Sequence, residues 1–406
     1  MISIFTPSHD AGWLNDCYKS LLNQTHQDWE WVVLLNNSAE WFCEDSRVLI
    51  LKTNTTGIGV LKREAVSLCV GDILVELDHD DILMPTALES ILEAFQDPLV
   101  VFTYSDFAQI NEDGSPNFDK FDESYGWTYR LEDGYNVCES MEPSPNNISF
   151  IWYAPNHVRA FRKKAYEDAG GYNADLEILD DQDLMSRLYS QGKFYYIPQN
   201  LYLQRIHPNN TQKKEGTNEF IQAETVRMHG RTIQPIILSW CEKNGLLALD
   251  FGGAHNPAPG YLTVDLHDAN IVGDIFEVLA NMEDDSVGVI RAVDFLEHIP
   301  DKVKLWNEMY RVLAHGGMVL SLTPSTDGRG AFQDPTHNSF YNQNTFWYFA
   351  DENYRRFVPQ LKMDFQVSIL MTYFPSEWHR ENNISYVNAN LVAIKEGPRQ
   401  GGRIGI

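Results

Sequence analysis

The sequence is short of three things. No apolar run approaches the ~20 residues a membrane-crossing helix needs, so an integral membrane segment is not expected. Cysteine is sparse, with five residues (Cys17, Cys43, Cys69, Cys138 and Cys241) widely spaced and no Cys-x-x-Cys pair. That pattern fits buried thiols in a reducing compartment and excludes a disulfide framework or a thiolate zinc site. Positive charge is the third shortage: Lys+Arg number 31 against 57 Asp+Glu, a net charge of −26. Nucleic acid and anionic membrane are poor partners for such a chain, and no local basic patch offsets the imbalance. The first residues, Met1-Ile2-Ser3-Ile4-Phe5-Thr6-Pro7, enter a strand pattern at once, so no signal peptide is expected and the reading is cytoplasmic.

What remains is ample for folding. Hydrophobic residues make up 43% of 406 positions, and about 150 residues per domain suggests two or three domains. Strand-like runs (Ile2–Thr6, Trp31–Leu35, Val48–Leu51, Ile73–Leu77, Val100–Tyr104) alternate with helical patterns over 14–22, 57–69 and 84–95. Alternation of this kind predicts a doubly wound α/β sheet that binds ligands at the carboxyl ends of its strands. Residues 111–150 lose periodicity and read as a long active-site loop or a plain surface excursion. Helices are expected over 161–169 and 183–189, then one or two more ending near Asn244-Gly245. From Leu246 the alternation restarts, with strands at 246–251, 262–266, 287–292 and 318–322 and a helix over 302–313. The expected domains are 1–235 and 245–396, joined by a helix end at 236–244 and followed by a flexible tail at 397–406.

Chemistry concentrates in Gly71-Asp72-Ile73-Leu74-Val75-Glu76-Leu77-Asp78-His79-Asp80-Asp81, an apolar run that stops at three carboxylates within four residues. Crowded carboxylates repel one another unless a cation or a solvated loop relieves them. A hard divalent ion carrying a diphosphate would do so.

Six ordered motifs give residues 1–230 a resemblance to family 2 glycosyltransferases of the GT-A fold. They are Ser3-Ile4-Phe5-Thr6-Pro7-Ser8, Ser20-Leu21-Leu22-Asn23-Gln24-Thr25, Leu77-Asp78-His79-Asp80-Asp81, Gly170-Gly171-Tyr172, Leu179-Asp180-Asp181-Gln182-Asp183-Leu184, and Arg205-Ile206-His207-Pro208-Asn209-Asn210-Thr211. The resemblance implies an inverting transferase of the hexosyl type that moves a sugar from a nucleotide-diphosphate donor, UDP favoured, to a glycan or other hydroxyl acceptor. Mn²⁺ or Mg²⁺ would be held by Asp80 with Asp78 nearby, and Asp81 would start the next helix. His207 is implied as a further ligand or a diphosphate contact, while its place before Pro208 also suits a structural turn. Asp181 matches the family's base; Asp180 and Asp183 compete for the role, and Asp183 suits a helix N-terminus. Thr6, Pro7, Ser8, Asn36, Asn37, Arg63, Asp78 and His79 are the implied donor contacts, and Asp180 and Trp152 the acceptor contacts. The chain departs from the pattern at Leu35-Asn36-Asn37-Ser38, where an acidic motif is usual, so Asn must hydrogen-bond the base without charge. Lys62 and Arg63 follow Gly57-Ile58-Gly59, where an Arg often faces the donor; a solvated helix face is the other reading.

Residues 246–350 resemble a class I methyltransferase with a Rossmann-like fold. Leu249-Asp250-Phe251-Gly252-Gly253-Ala254, Asp265, Gly273-Asp274-Ile275, Phe295-Leu296-Glu297-His298-Ile299 and Arg311-Val312-Leu313-Ala314-His315-Gly316-Gly317 carry this. It implies S-adenosylmethionine held by Asp250, Gly252, Gly253, Asp265 and Asp274. One glycine is lacking at Ala254, and His315 replaces a proline. Gln333-Asp334-Pro335-Thr336-His337 also fits such domains, with no role assigned. The whole reads as a glycosyltransferase whose C-terminal domain methylates the product. The alternatives are a methyltransferase with a non-catalytic sugar-binding domain, or a non-enzymatic glycan-assembly scaffold.

Overall fold

The computed structural model describes residues 1–36, 39–150, 152–210, 213, 216–397, 400 and 401. Asn37 and most of the expected tail lie outside the described residues. The chain packs as two compact units, 1–143 with 147–236 and 144–146 with 237–406.

In the first unit the elements run β1 (Ile2–Ser8), α1 (Leu14–Leu22), β2 (Trp29–Leu35), β3 (Val48–Lys52), α2 (Ile58–Leu68), β4 (Ile73–Glu76), β5 (Ile82–Leu83), α3 (Ala87–Ala94) and β6 (Val100–Asn111). They continue with β7 (Thr128–Glu132), β8 (Tyr135–Glu139), α4 (Pro145–Ser149), β9 (Ala160–Arg162), α5 (Lys163–Asp168), α6 (Asp180–Leu188), β10 (Lys193–Ile206) and α7 (Thr217–Asn244). A 10-stranded sheet has the order β3-β2-β1-β4-β9-β6-β10-β5, with the β7–β8 hairpin attached to β6 through β8. β3, β2, β1 and β4 are parallel, and β9 is inserted antiparallel between β4 and β6. Strand order reverses on either side of β1, so a crevice opens at its carboxyl end beside that of β4.

The apolar spacing of α1 works as expected: Leu14, Cys17 and Leu21 are buried, whereas Leu22 ends the helix exposed. Residues 111–150 depart from the loop expectation. Alternation there is weak because the hairpin buries only a small face, Val137 packing with Ala108, Ile110 and Leu203. The expected helix over 161–169 is corrected too: Ala160–Arg162 is a strand, and the helix begins at Lys163. Asp81 starts no helix, since the next one begins at Ala87.

In the second unit, β11 (Leu247–Phe251), β12 (Leu262–Asp265), β13 (Ile271–Val272), α8 (Ile275–Ala280), β14 (Val287–Val293), α9 (Lys302–Val312) and β15 (Leu313–Pro324) precede α10 (Gly330–Gln333), α11 (Gln343–Ala350), α12 (Glu352–Arg355), β16 (Phe365–Tyr373), α13 (Glu377–Glu381) and β17 (Tyr386–Ala393). The sheet order is β13-β12-β11-β14-β15-β17-β16, parallel except at β17, which is antiparallel to both neighbours. Its core gathers Leu249, Phe251, Ile290, Trp306, Val319, Phe346 and Leu391. Both units are mixed α/β folds. Among the described residues, no helix is long and apolar enough to cross a membrane.

Candidate active site

The carboxyl end of β4 carries Glu76 and then the turn to Asp81. Asp80 and Asp81 are buried, and Asp78 and His79 are partly so. Three fastenings hold the turn. The Cys17 thiol lies 3.3 Å from the His79 and Asp81 carbonyls. Arg205, 1% exposed, donates through Nε to the Asp80 carbonyl at 2.8 Å, while its backbone N–H donates to Asp81 Oδ1 at 2.7 Å. The Asp78 N–H donates to the Tyr202 hydroxyl. Asp81 is therefore a structural acceptor that ties the turn to β10.

Charges alternate outward from Glu76. Lys62 Nζ lies 2.7 Å from Glu76 Oε1 and 3.0 Å from Asp180 Oδ2. Arg159 Nη1 lies 3.5 Å from Glu76 Oε2 and 2.7 Å from Asp181 Oδ2. His207 Nε2 stands 2.7 Å from Asp80 Oδ2, and His157 Nε2 is 3.5 Å from Asp78 Oδ2. The site thus gathers six carboxylates (Glu76, Asp78, Asp80, Asp81, Asp180, Asp181) around three permanent cations (Lys62, Arg159, Arg205).

The pKa shifts follow that imbalance. Burial, then the Glu76 charge, pushes Asp78 up to about 7. Burial and the Asp80 and Asp78 charges also raise Asp81 well above the carboxylate range. Burial works to raise Asp181 as well, but Arg159 and Lys62 outweigh it and hold the carboxyl below its usual value. Glu76, likewise buried, is brought down to about 2 by Lys62 and Arg159. Burial and the neighbouring Arg159 lower His157 to about 3, so its imidazole is neutral.

The other expected donor contacts divide. Ser8 is buried at the end of β1, with its hydroxyl on the Asp10 carbonyl; Pro7 is partly exposed beside it. The Asn36 N–H reaches the Ser8 carbonyl at 2.9 Å, and its buried Oδ1 meets no donor among the described residues. Thr6 is covered: its hydroxyl donates to the Leu77 carbonyl and accepts from Trp31 Nε1. Arg63 turns away from the carboxylates, whereas its neighbour Lys62 is buried among them. Arg63 is exposed, bonds the Gly170 carbonyl at 3.2 Å, and lines a separate surface pocket of about 430 Å³ with Tyr166 and Lys163. Asp183 sits in the first turn of α6, paired with Arg187. Trp152 stacks on Phe150 with centroids 5.6 Å apart.

Sequence reading passed over Glu76, Arg159 and His157. Glu76 had a signal, an acid inside an apolar strand run, which is expensive without a partner. Arg159 and His157 had none, because only the fold brings β9 beside β4.

In the second unit, β11 runs into Gly252, whose φ of +74° favours glycine, and Gly253, where a Cβ would sit 2.6 Å from Asp250 Oδ2. The Asp250 carboxylate is already engaged, by Arg291 Nη1 at 2.7 Å and the Ala258 N–H at 3.0 Å, so it shapes the loop from within. Asp265 ends β12 partly exposed and accepts from the Leu266 and Ala254 N–H groups. Asp274 caps α8 by accepting from the Phe276 N–H.

The first unit is thus a doubly wound sheet with an acidic turn at its switch point, and the second a mostly parallel sheet with a glycine turn after its first strand. The family model described as Glycosyl transferase family 2 matches residues 3–167, and one described as Methyltransferase domain matches residues 255–321. The chain carries a family 2 glycosyltransferase domain followed by a methyltransferase-like domain.

Among curated relatives, a hyaluronan synthase of Pasteurella multocida is 28% identical over 225 residues, 53% of this chain and 21% of that protein. A chondroitin synthase of Escherichia coli is 25% identical over 225 residues, covering 53% of this chain and 30% of that one. The chain thus spans well under half the length of these relatives. Glycosyltransferase GlyG of Streptococcus pneumoniae is 24% identical over 235 residues, 53% of this chain and 74% of that protein. A solved structure of S. aureus TarS 1-349 in complex with UDP-GlcNAc aligns with TM-score 0.41 at 13% identity, covering 59% of this chain and 72% of that one.

Proposed function

We propose that the first domain is an inverting, metal-dependent glycosyltransferase using a nucleotide-diphosphate sugar, UDP-linked by preference, and a glycan or other hydroxyl acceptor. The observation that carries this is the surplus of carboxylates over cations around the β4 turn, with one carboxylate, Asp181, kept ionised by Arg159.

The donor set fits a hard divalent ion, since Asp80 and His207 converge and Asp78 lies on the same turn. Mn²⁺ or Mg²⁺ bound there supplies positive charge to the leaving diphosphate. The remaining work belongs to side chains. Asp181 accepts the proton of the acceptor hydroxyl as the new C–O bond forms and the sugar–phosphate bond breaks. Arg159 fixes the orientation of that carboxylate and keeps it unprotonated. Asn36 Oδ1, a buried acceptor without a donor among the described residues, suits an N–H of the nucleobase. Asp180 is tied to Lys62 and is the weaker candidate for base.

The second domain is proposed to bind S-adenosylmethionine. Gly252 and Gly253 let the turn after β11 pack tightly on Phe295 and Asp250, as the cofactor loop of such a fold requires, and the partly exposed Asp265 offers an acceptor for ribose hydroxyls. Methylation of the transferase product is the proposed use.

The test is release of UDP from a panel of UDP-sugars by the full chain with Mn²⁺, with and without oligosaccharide acceptors. Activity that chelation removes and Asp80→Ala abolishes supports the reading. Failure of every nucleotide-sugar to bind overturns it.

A further inference from the structure

Glu297, His298 and His337 converge in the second unit, where no role has been assigned to them. One carboxylate oxygen and one ring nitrogen from each histidine lie within 4.8 Å of one another. Glu297 and His298 lie on the 3-10 turn that follows β14, and His337 comes from the loop after α10. The loop is pinned to the turn, because the Asn338 and Ser339 N–H groups both donate to the Glu297 carbonyl at 2.8 Å.

Each side chain is oriented as a ligand. Glu297 is 2% exposed; its Oε2 accepts from the Thr323 hydroxyl at 2.7 Å, but Oε1 meets no donor among the described residues. A buried carboxylate oxygen without a donor is costly, and a bound cation would relieve it. His337 Nδ1 sits 2.9 Å from the Ala331 carbonyl and must donate to it, which leaves Nε2 with its lone pair free to bind. The Thr336 hydroxyl is spent as a donor on Asp334 Oδ1, so it accepts from His298 Nδ1 at 3.1 Å, freeing that ring's Nε2 too. Metal-binding histidines are characteristically fixed in this way, by a hydrogen bond at the far nitrogen.

We propose that Glu297, His298 and His337 bind a divalent transition-metal ion of zinc's class. Two imidazoles and one carboxylate make a set too rich in nitrogen for Mg²⁺ or Ca²⁺, and three protein ligands leave positions for water or a hydroxyl. Phe295, two residues before Glu297, packs on Phe251 and would meet a Cβ at Gly252 at 3.0 Å, so the site adjoins the glycine turn. A hydroxyl-bearing ligand on the open positions would lie near that glycine turn. The proposal is independent of the glycosyltransferase reading.

The test is Zn²⁺ titration of the chelator-stripped full chain in competition with a chromophoric chelator, and Co²⁺ substitution read by visible absorption. A tight site, distinct from the divalent site proposed at Asp80, that His298→Ala and His337→Ala each weaken at least about 100-fold is expected. Thr336→Val, which removes only the hydroxyl holding His298, costs about 10–100-fold. Asp80→Ala, in the other unit, leaves this site unchanged. If the histidine variants misfold, Zn²⁺ protection of His298 and His337 from diethyl pyrocarbonate in the unsubstituted chain, read by peptide mass spectrometry, decides the matter. No tight site, unaltered affinity in both histidine variants, or no protection overturns the proposal.

Discussion

Arg159, immediately before β9, and Asp181, in the first turn of α6, form a largely buried pair with Nη1 and Oδ2 2.7 Å apart, and the same guanidinium nitrogen reaches Glu76 at 3.5 Å. The arginine therefore both neutralises the strand carboxylate and holds the proposed base ionised. Replacing it with glutamine leaves two carboxylates in the buried site short of a counter-charge. Breaking a buried pair in this way costs about 3–5 kcal/mol. The pH consequence has a definite sign. Asp181 is depressed below its unfolded value, so its contribution to stability is present above about pH 4 and lost as pH falls through the folded pKa. In Arg159→Gln that contribution disappears and the acid limb of kcat/KM moves to higher pH. Urea unfolding together with a pH–rate profile checks both; an unmoved acid limb would separate Asp181 from the proton transfer.

Removing the proposed base gives a second expectation. Asp181→Asn keeps the shape of the side chain and abolishes its basicity, so kcat should fall by about 10²–10⁴-fold while donor affinity changes little. Asp180→Asn, which loosens only the partner of Lys62, should cost less. Steady-state kinetics with donor binding measured separately distinguishes them; equal losses in the two variants would reassign the role.

Metal binding carries its own pH signature. Asp78 is raised to about 7, first by burial and then by Glu76, so at pH 6 the native carboxyl keeps a proton that the unfolded chain has released. Without metal, stability should fall as pH rises from about 4 to about 7, because the native state binds the extra proton. Mn²⁺ must displace that proton, so its affinity should strengthen across the same interval. Calorimetric titrations in buffers of different ionisation heat would reveal the released proton; pH-independent Mn²⁺ affinity contradicts the assignment of Asp78 as a ligand.

The limits of sequence legibility lie in pairing across the sheet. The strand ending at Asp78–Asp81 was readable because an apolar run stops abruptly at repelling charges, and the second unit because the strand–helix alternation restarts after Gly245. Strands β16 and β17 were not read, since they lie beyond the last helix of the repeating pattern and alternate only partly. β10 escaped because tyrosines and a proline interrupt its apolar residues. Arg159 and His157 carry no local mark: their partners, Asp181, Glu76 and Asp78, are distant in sequence and meet them only through β9 pairing with β4. Asp81 looked like a helix start because acids favour that position, yet burial under Arg205 gives it a different task.

The glycine turn of the second unit offers a clean test of cofactor binding. Asp265 is partly exposed, and among the described residues its carboxylate accepts from two backbone N–H groups, leaving lone pairs to take hydroxyls. Asp265→Ala should therefore leave the unfolding midpoint nearly unchanged while removing the heat of S-adenosylmethionine binding in calorimetry. Asp250→Ala should do the reverse in part, since it strips Arg291 of a buried partner at 2.7 Å and destabilises the unit by about 3–5 kcal/mol. Binding that survives Asp265→Ala would contradict the proposed ribose contact.

Lys62 and Arg63 are neighbours on α2 with opposite fates, and this contrast gives the sharpest prediction about the site. Lys62 is 8% exposed between Glu76 and Asp180, whereas Arg63 points outward to the Gly170 carbonyl. Burial works to lower the Lys62 pKa, but the Asp180 and Glu76 charges outweigh it and hold the amine well above its ordinary value. A raised lysine stabilises fully below its unfolded pKa and loses that stabilisation only as pH rises through the folded value, so its contribution is complete at neutral pH. Lys62→Met should then cost about 3–5 kcal/mol by leaving the buried Asp180 without its cation and Glu76 with Arg159 alone. Arg63→Ala, a surface change, should stay within about 0.5 kcal/mol and leave donor affinity intact. Chemical unfolding of the two variants with nucleotide-sugar binding measured alongside checks the assignment; a donor-binding loss in Arg63→Ala would restore that arginine to the donor site.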